Sequence, residues 1–315
     1  MVEKKRALGH IRVSIYNPDM TLLARPAPQR KMATLVPGEP LIAFENVRLG
    51  FDQGEVLSGI SFEVDPGETK ILLGESGCGK TLIMKMAAGL LRPDEGRIWV
   101  MGQDLGSMSE PELLDFRRHL GFVFQEGALF DSLTVSENVA FRLREENFPE
   151  AEIEARVREV LRFVEMEPAI GKHPGELSGG MRRRVSIARA LVDRPPLVFY
   201  DSPTAGLDPV TSQTIITLIL RGRDTQGVTS MLATQRVQDM FGLARFRFDD
   251  KTGQVTRVRE AGPTSGASAT NGESSSAPPT NLVVLREGHI YFEGTTEQFL
   301  HSPDAYLKMF LASAE

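Results

Sequence analysis

Residues 74–81 of this 315-residue chain read Gly74-Glu75-Ser76-Gly77-Cys78-Gly79-Lys80-Thr81. The spacing matches G-x-x-x-x-G-K-T, in which the glycines let the backbone curl until several N–H groups point at one anion. The run before it, Thr69 to Leu73, is short and mostly apolar, as a buried strand is. The run after it, Leu82 to Leu91, has apolar residues at helical spacing. A strand, a glycine loop and a helix in this order predict a phosphate-binding loop.

The last two residues of this loop carry side chains that suit a nucleoside triphosphate. Lys80 is long enough to reach the β- and γ-phosphates, and the hydroxyl of Thr81 can ligate a magnesium ion. The helix that follows adds a partial positive charge at its N-terminus. We therefore expect the loop from Gly74 to Thr81 to bind phosphate, with Mg2+ held at Thr81.

Bulk composition excludes several classes of function. With 41% apolar and 25% charged residues, the chain suits a globular protein with one large or two smaller cores. Its net charge of −6 argues against nucleic acid as a partner. Cys78 is the only cysteine, so the chain forms no disulfide within itself. No apolar run reaches the roughly 18 residues of a membrane span, so we expect any membrane role to pass through a partner.

Changes in composition divide the chain. Residues 1–40 are basic and broken by prolines, which predicts a flexible N-terminal extension; contact with acidic lipid or a partner is the alternative. Residues 41–258 form the main domain, with a mainly helical region at about 102–190. Residues 259–280 are rich in Gly, Ser, Pro, Ala and Thr and predict a disordered insertion. Residues 281–315 complete the domain with strands and a helical tail.

An aromatic residue precedes the phosphate loop. Phe51 lies in Gly50-Phe51-Asp52-Gln53-Gly54, between two strand-like runs. An aromatic ring on such a turn is placed to stack on an adenine base, although a lone phenylalanine is more often part of a core. We take Phe51 as a candidate base-stacking residue.

Two further motifs follow downstream. Ser178 is placed as the N-cap of a helix, and Gly179 and Gly180 expose backbone N–H groups behind it, which makes a second anion site or an ordinary cap. The run Leu197–Asp201 has four apolar residues that end in an acid, and Asp201 is placed to hold magnesium at the end of a buried strand. Alternating strands and helices around these motifs predict an α/β fold with a mostly parallel sheet.

With these motifs in order, residues 41–312 resemble the ATP-binding cassette (ABC) ATPases. The phosphate loop is similar to their Walker A motif, and Leu197–Asp201 to their Walker B motif. Phe124-Gln125-Glu126 resembles the Q-loop, whose glutamine meets magnesium and the membrane partner. Leu177–Met181 resembles the signature motif, and Ala205–Pro209, which contains Asp208, resembles the D-loop. The resemblance implies a P-loop NTPase core with an antiparallel β subdomain and an α-helical subdomain, and ATP with Mg2+ as ligands.

The resemblance also implies partners. In this family two cassettes close head to tail, and each ATP lies between the Walker A motif of one chain and the signature of the other, here Ser178 to Gly180. The family works with an integral membrane permease, which places the ATPase in the cytoplasm, peripherally on the inner face of the cell membrane. The sequence does not choose between a homodimer and a heterodimer with an intact cassette.

Some stretches point to one branch of the family. Three stretches are similar to the ATPases of lipid transporters that work with MCE proteins (the MCE/Mla type). They are Phe124–Leu133, Met181 with the following Arg182-Arg183-Arg184, and Leu307–Leu311. That resemblance implies lipid transport and an MCE-domain protein as a further partner. An ABC ATPase for a different solute is the alternative.

Two positions depart from the family pattern. The family carries a glutamate, the general base for water, directly after the Walker B aspartate, where this chain has Ser202; it carries a switch histidine where this chain has Gln235. Serine takes no proton near neutral pH without a base beside it, and glutamine does not titrate. Losing a general base costs roughly 10²–10⁴ in rate. We therefore expect nucleotide binding with slow hydrolysis at this chain's own site; a non-hydrolysing regulatory or assembly subunit is the alternative.

Overall fold

The structure is a computed structural model that describes residues 38–52, 54–258 and 279–312. Most of the expected N-terminal extension and of the expected insertion, residues 1–37 and 259–278, therefore lies outside the described residues. Within the described residues no helix is long and apolar enough to cross a bilayer.

Strands occur throughout the described residues. They are β1 (Ile42–Phe51), β2 (Gly54–Val64), β3 (Thr69–Gly74), β4 (Glu95–Val100), β5 (Gln103–Asp104), β6 (Leu120–Val123), β7 (Leu197–Asp201), β8 (Thr229–Thr234), β9 (Phe246–Asp249), β10 (Gln254–Arg257), β11 (Thr280–Arg286) and β12 (His289–Thr295).

The helices follow in the same chain order. They are α1 (Lys80–Ala87), α2 (Glu110–Arg117), α3 (Val135–Glu145), α4 (Glu150–Phe163), α5 (Gly179–Leu191), α6 (Pro209–Gln226), α7 (Val237–Arg245), α8 (Thr296–Leu300) and α9 (Ala305–Ala312), with short 3-10 turns at Glu167–Ala169 and Pro174–Glu176.

The strands form three sheets. The central sheet has the order β12-β11-β3-β8-β7-β6, and it is parallel except where β12 pairs with β11. A second, antiparallel sheet has the order β2-β1-β4-β5, and β9 and β10 form a separate hairpin. The expected α/β fold with a mostly parallel sheet is confirmed. The hairpin was not predicted from the sequence.

Alternation along β3 shows how the central sheet is buried on both faces. Ile71 and Leu73 belong to a core that also takes side chains from α3, α4, α5 and α6. Leu72, between them, belongs to a second core with α1 and the antiparallel sheet. Burying an aliphatic side chain in this way contributes about 1.5–3 kcal/mol. The sheet is therefore held from both sides, which fixes the position of its strand ends.

The carboxyl ends of three parallel strands meet at one edge of the sheet. In the register of these strands Leu73 of β3 lies opposite Thr234 of β8, and Asp201 of β7 lies opposite Ala233 of β8. The segments that leave the sheet here are the loop before α1 and the turns after β7 and β8. In open parallel sheets ligands bind at this edge, so the fold brings the candidate motifs together there.

Candidate functional site

The glycine loop joins β3 to α1 in a conformation that its residue types allow. Gly77 and Gly79 have positive φ angles of 84° and 100°, which residues with a side chain rarely adopt. Gly79 is the N-cap of α1 and makes no side-chain cap hydrogen bond, because it has no side chain. The first N–H groups of a helix have no partner within it. They therefore point into the loop, where an anion would accept from them.

Lys80 holds its ammonium group inside this loop. Its side chain is buried, and Nζ donates hydrogen bonds to the backbone oxygens of Gly74 at 2.8 Å and Glu75 at 2.6 Å. A buried ammonium group is tolerated only when such acceptors compensate for its lost hydration. The loop thus presents a positive charge and backbone N–H groups toward one volume.

Walker A and Walker B residues touch directly. The hydroxyl of Thr81 lies 3.0 Å from Oδ2 of Asp201, which ends β7 and is 5% exposed. Oδ1 of the same carboxylate accepts from the Ser202 hydroxyl at 3.2 Å. Hydroxyl and carboxylate oxygens are the donor set that Mg2+ prefers. Thr81 and Asp201 therefore fit a magnesium ion, with the amide oxygen of Gln125 as a further candidate ligand.

The strand ends enclose a cavity of about 240 Å³ beside the loop. Its lining comes from four separate stretches of the chain. The lining residues are Ser76, Gly77, Gly79, Lys80, Thr81, Leu82, Gln125, Ser202, Ala205, Thr234, Gln235 and Arg236. The structure thus brings together all the candidate catalytic residues except Asp201, which contacts the cavity through Thr81. Among the described lining residues there is no carboxylate.

The two positions that depart from the family pattern lie at the ends of neighbouring strands. Ser202 follows β7 with a left-handed φ of 47°, and its N–H donates to the oxygen of Ala233 on β8 at 2.9 Å. Gln235 follows β8 and is exposed. The Ser202 hydroxyl is already engaged with Asp201, so neither side chain offers a base for a water molecule.

Some candidate ligand residues lie outside this cavity. Phe51 ends β1 and is 53% exposed, so it is not a core residue. Ser178 caps α5, its hydroxyl accepting from the N–H of Met181 at 3.2 Å, while Gly179 is exposed beside it and Gly180 is buried. Asp208 caps α6 in the same way, and its hydrogen bonds with Thr211 lower its pKa. Within the described residues these groups line no part of the cavity. For Ser178 and Gly179 this agrees with the expected role of the signature at the site of a second cassette, whereas the stacking of Phe51 on adenine stays a prediction.

Several residues at the site carried no recognisable sequence signal. The carboxylate of Asp239 on α7 is buried behind the cavity and accepts hydrogen bonds from the hydroxyls of Thr204 and Thr234, each at 2.7 Å. Burial raises the pKa of Asp239, although the threonine hydrogen bonds and Arg236 act the other way. Arg236 donates to the oxygen of Thr204 at 3.1 Å. These contacts tie the turn after β7 to the turn after β8.

The chain is similar to proteins of one family. Residues 57–205 match the family model described as ABC transporter. The protein named "Intermembrane phospholipid transport system ATP-binding protein MlaF" of Haemophilus influenzae is 30% identical over 84% of this chain and 88% of its own length. The Arabidopsis thaliana protein TRIGALACTOSYLDIACYLGLYCEROL 3, chloroplastic, is 33% identical over 86% of this chain and 73% of its own length.

Other relatives are matched over a smaller part of their length. The sulfate/thiosulfate import ATP-binding protein CysA of Gloeobacter violaceus is 39% identical over 61% of this chain, and the chain spans 55% of it. Among solved structures, a dimeric ATP-binding cassette in a post-hydrolysis state with ADP and Pi has a TM-score of 0.65 at 25% identity and covers 81% of this chain and 98% of its own. The cbiO1 protein of Clostridium perfringens, part of an ABC transporter complex, has a TM-score of 0.68 at 25% identity. The match covers 87% of this chain and 95% of the cbiO1 chain.

Proposed function

The chain belongs to the ABC transporter ATPases, and from that premise we propose that it couples ATP binding to the movement of an integral membrane permease. The observation that carries the proposal is the cavity at the strand ends, which Lys80, Thr81 and Gln125 line and which Asp201 adjoins through its hydrogen bond with Thr81. The residues present fit ATP with Mg2+: one buried cation, a helix start without a side-chain cap, and paired oxygen ligands. A bound Mg2+ would neutralise charge on the phosphates.

We propose lipids as the cargo. Support comes from the length of the match, because the chain spans 88% of the phospholipid-transport relative but only 55% of the sulfate relative. The lipid-type match thus includes residues beyond the common cassette core. Sulfate or methionine transport is the second candidate, because those relatives reach 39% and 36% identity over the shorter overlap. If lipids are the cargo, an MCE-domain protein is the expected partner.

We further propose that hydrolysis at this chain's own site is slow. Ser202 and Gln235 stand where the family has a base and a switch histidine, and no described residue lining the cavity carries a carboxylate. Lys80, Gln125 and the loop N–H groups still supply electrostatic stabilisation, which accounts for much of phosphoryl-transfer catalysis. Binding should therefore persist while turnover falls.

The exposed signature gives this chain a second role. Ser178 and Gly179 lie at the surface, at the start of α5, away from the chain's own cavity. In a head-to-tail pair they would complete the site of the other cassette. A heterodimer would then hydrolyse ATP at the intact partner's site, whereas a homodimer would be an ATP-gated clamp. A regulatory or assembly subunit that never hydrolyses ATP is the alternative.

We propose a peripheral position on the inner face of the cell membrane, where a permease would meet the exposed ring of Phe130, soon after Gln125 in the chain, and the ring of Phe141 that contacts it. We also propose that the chain divides into an extension at 1–40, a cassette at 41–258 with a helical subdomain at about 102–190, an insertion at 259–280 and a C-terminal part of the same domain at 281–315.

Co-purification from membranes tests the proposed function. The full chain is tagged in its native host, extracted in mild detergent and analysed by mass spectrometry. We expect an integral permease and, for lipid cargo, an MCE-domain protein. A second, different cassette would support the heterodimer, and its absence the homodimer. Recovery of the chain without any permease would contradict the proposal.

A further inference from the structure

Two arginines of α5 donate hydrogen bonds to the turn that carries Gln125. Arg183 donates from Nη1 to the oxygen of Phe124 at 3.0 Å. Six residues further along the helix, Arg189 donates to the oxygens of Ala128 at 2.7 Å and Gly127 at 3.0 Å. Arg183 is 6% exposed, and burial lowers its pKa and that of Arg189. Since α5 begins at the signature glycines, this turn is fastened to the signature helix at both ends.

Arg183 also reaches a second backbone oxygen, in the turn after β7. The same Nη1 lies 3.5 Å from the oxygen of Ser202, the residue directly after Asp201. Burial lowers the pKa of Arg183, and the negative charges of Asp201 and Glu126 act in the opposite direction by raising it. One guanidinium group therefore joins the residue before Gln125 to the residue after Asp201.

Further hydrogen bonds restrain the backbone at Ser202 and Phe124, whose oxygens Arg183 contacts. Ser202 is held in a left-handed backbone conformation by its N–H bond to Ala233. The oxygen of Phe124 also accepts the N–H of Gly127 at 2.9 Å, which closes the turn around Gln125. Arg183 thus sets the spacing of the backbone segments that carry Gln125 and Asp201, the two candidate magnesium ligands that come from different strands.

We propose that Arg183 is a positioning residue for magnesium-dependent nucleotide binding. It acts through Phe124 and Ser202 and does not touch the nucleotide itself. Outer residues that orient metal ligands typically change metal affinity by about 10–100-fold when they are removed. The inference rests on the proposed function, because it requires a site that binds ATP with Mg2+.

The test compares the affinity of AMP-PNP with and without magnesium. The ratio of the Kd in EDTA to the Kd in magnesium chloride is measured by calorimetry on the purified full chain. We expect Arg183→Gln to lower this ratio at least ~10-fold while the Kd in EDTA stays within about twofold. Arg184→Gln is the matched control, because Arg184 contacts the oxygens of Val164 and Glu165 at 3.5 Å instead. We expect it to keep the wild-type ratio.

Arg183→Lys makes the test independent of the fate of the glutamine variant. Lysine keeps the charge but lacks the planar fork, so we expect an intermediate loss of about threefold in the ratio. An unchanged ratio in the folded variants, or equal changes of both Kd values, would mean that Arg183 has only a structural role. That result would overturn this inference and leave the proposed function standing. Wild-type protein that binds no AMP-PNP in magnesium would overturn the proposed function as well.

Discussion

Thr81 donates its hydroxyl hydrogen bond to Asp201, with 3.0 Å between Oγ1 and Oδ2, although the two residues are 120 positions apart in the chain. The contact joins the start of α1 to the end of β7. It places an alcohol and a carboxylate oxygen side by side next to the phosphate loop.

Replacing Asp201 should separate magnesium binding from nucleotide binding. Asn lacks the negative charge with which Asp201 would attract a divalent cation, so we expect Asp201→Asn to weaken AMP-PNP binding in magnesium by about tenfold or more, with the Kd in EDTA changed less than about threefold. Isothermal calorimetry measures both constants. Asp115→Asn, at an exposed carboxylate on α2, serves as the control. Equal Kd values for Asp201→Asn and wild type in magnesium would contradict the assignment.

Lys80 should matter with or without magnesium. Its ammonium group is the buried cation of the loop, and a hydrogen bond to a charged group contributes about 1.5–3 kcal/mol. We therefore expect Lys80→Ala to raise the Kd of AMP-PNP by about 10–100-fold in both buffers. Lys85→Ala, in the last turn of the same helix, should bind as wild type does. Nucleotide binding that survives Lys80→Ala unchanged would remove the loop from the site.

The buried carboxylate of Asp239 should give stability a recognisable pH dependence. Its pKa is raised above the ordinary value of 3.8 by burial. A raised carboxyl pKa means that the native state binds more protons, so this contribution is present below pH 3.8 and is lost as pH rises through the raised value. Urea unfolding across this window should show the free energy of unfolding of Asp239→Asn rising relative to wild type. If the free energy of unfolding of Asp239→Asn fell relative to wild type over the same pH range, the pKa of Asp239 would not be raised in the folded protein.

An exposed aromatic pair should contribute to permease binding. The rings of Phe130 and Phe141 are 4.8 Å apart and 44% and 40% exposed, beside the turn that α5 holds. Large exposed apolar side chains that cluster often mark an interface. We expect Phe130→Asp to abolish recovery of the permease from membranes while the Kd of AMP-PNP stays within about twofold. Met309→Asp, at a side chain 64% exposed on α9, is the control. Equal permease recovery from both variants would place the interface elsewhere.

The parts of the site that were predictable are those that one local pattern encodes. The glycine loop with its flanking strand and helix, the acid that ends β7 and the cap at Ser178 each depend on neighbours within a few residues. Their meeting at one sheet edge follows from parallel strand order. The mostly parallel sheet was predictable for the same reason, because alternating strands and helices leave few topologies.

The parts that were missed depend on contacts between distant segments. Arg183 stands in a run of three arginines, which is typical of an exposed helix face, yet its side chain is buried and donates to the oxygen of Phe124 in the turn after β6. Asp239 has partners 35 and 5 residues away, and no periodicity marks such a pair. The β9–β10 hairpin is short, and its strands, Phe246–Asp249 and Gln254–Arg257, have only four residues each. Tertiary packing decides such elements, and local propensity gives little sign of them.

The central claim is that the site holds ATP but lacks a base for water. Ser202→Glu with Gln235→His supplies both missing groups, whereas Ser202→Gln with Gln235→His matches it in size but lacks the carboxylate at position 202. Since every residue at position 202 shares the left-handed backbone, the two double variants carry the same strain.

Steady-state ADP release by the purified chain alone, with MgATP in excess, is the most direct measurement. It excludes any contribution from a different cassette, and AMP-PNP affinity is checked in parallel. We predict that wild type and the Ser202→Gln double variant turn over at least ~10²-fold more slowly than the Ser202→Glu double variant. Wild-type turnover already near ~10 s⁻¹, or an unchanged rate in a Ser202→Glu double variant that binds nucleotide normally, would contradict the account.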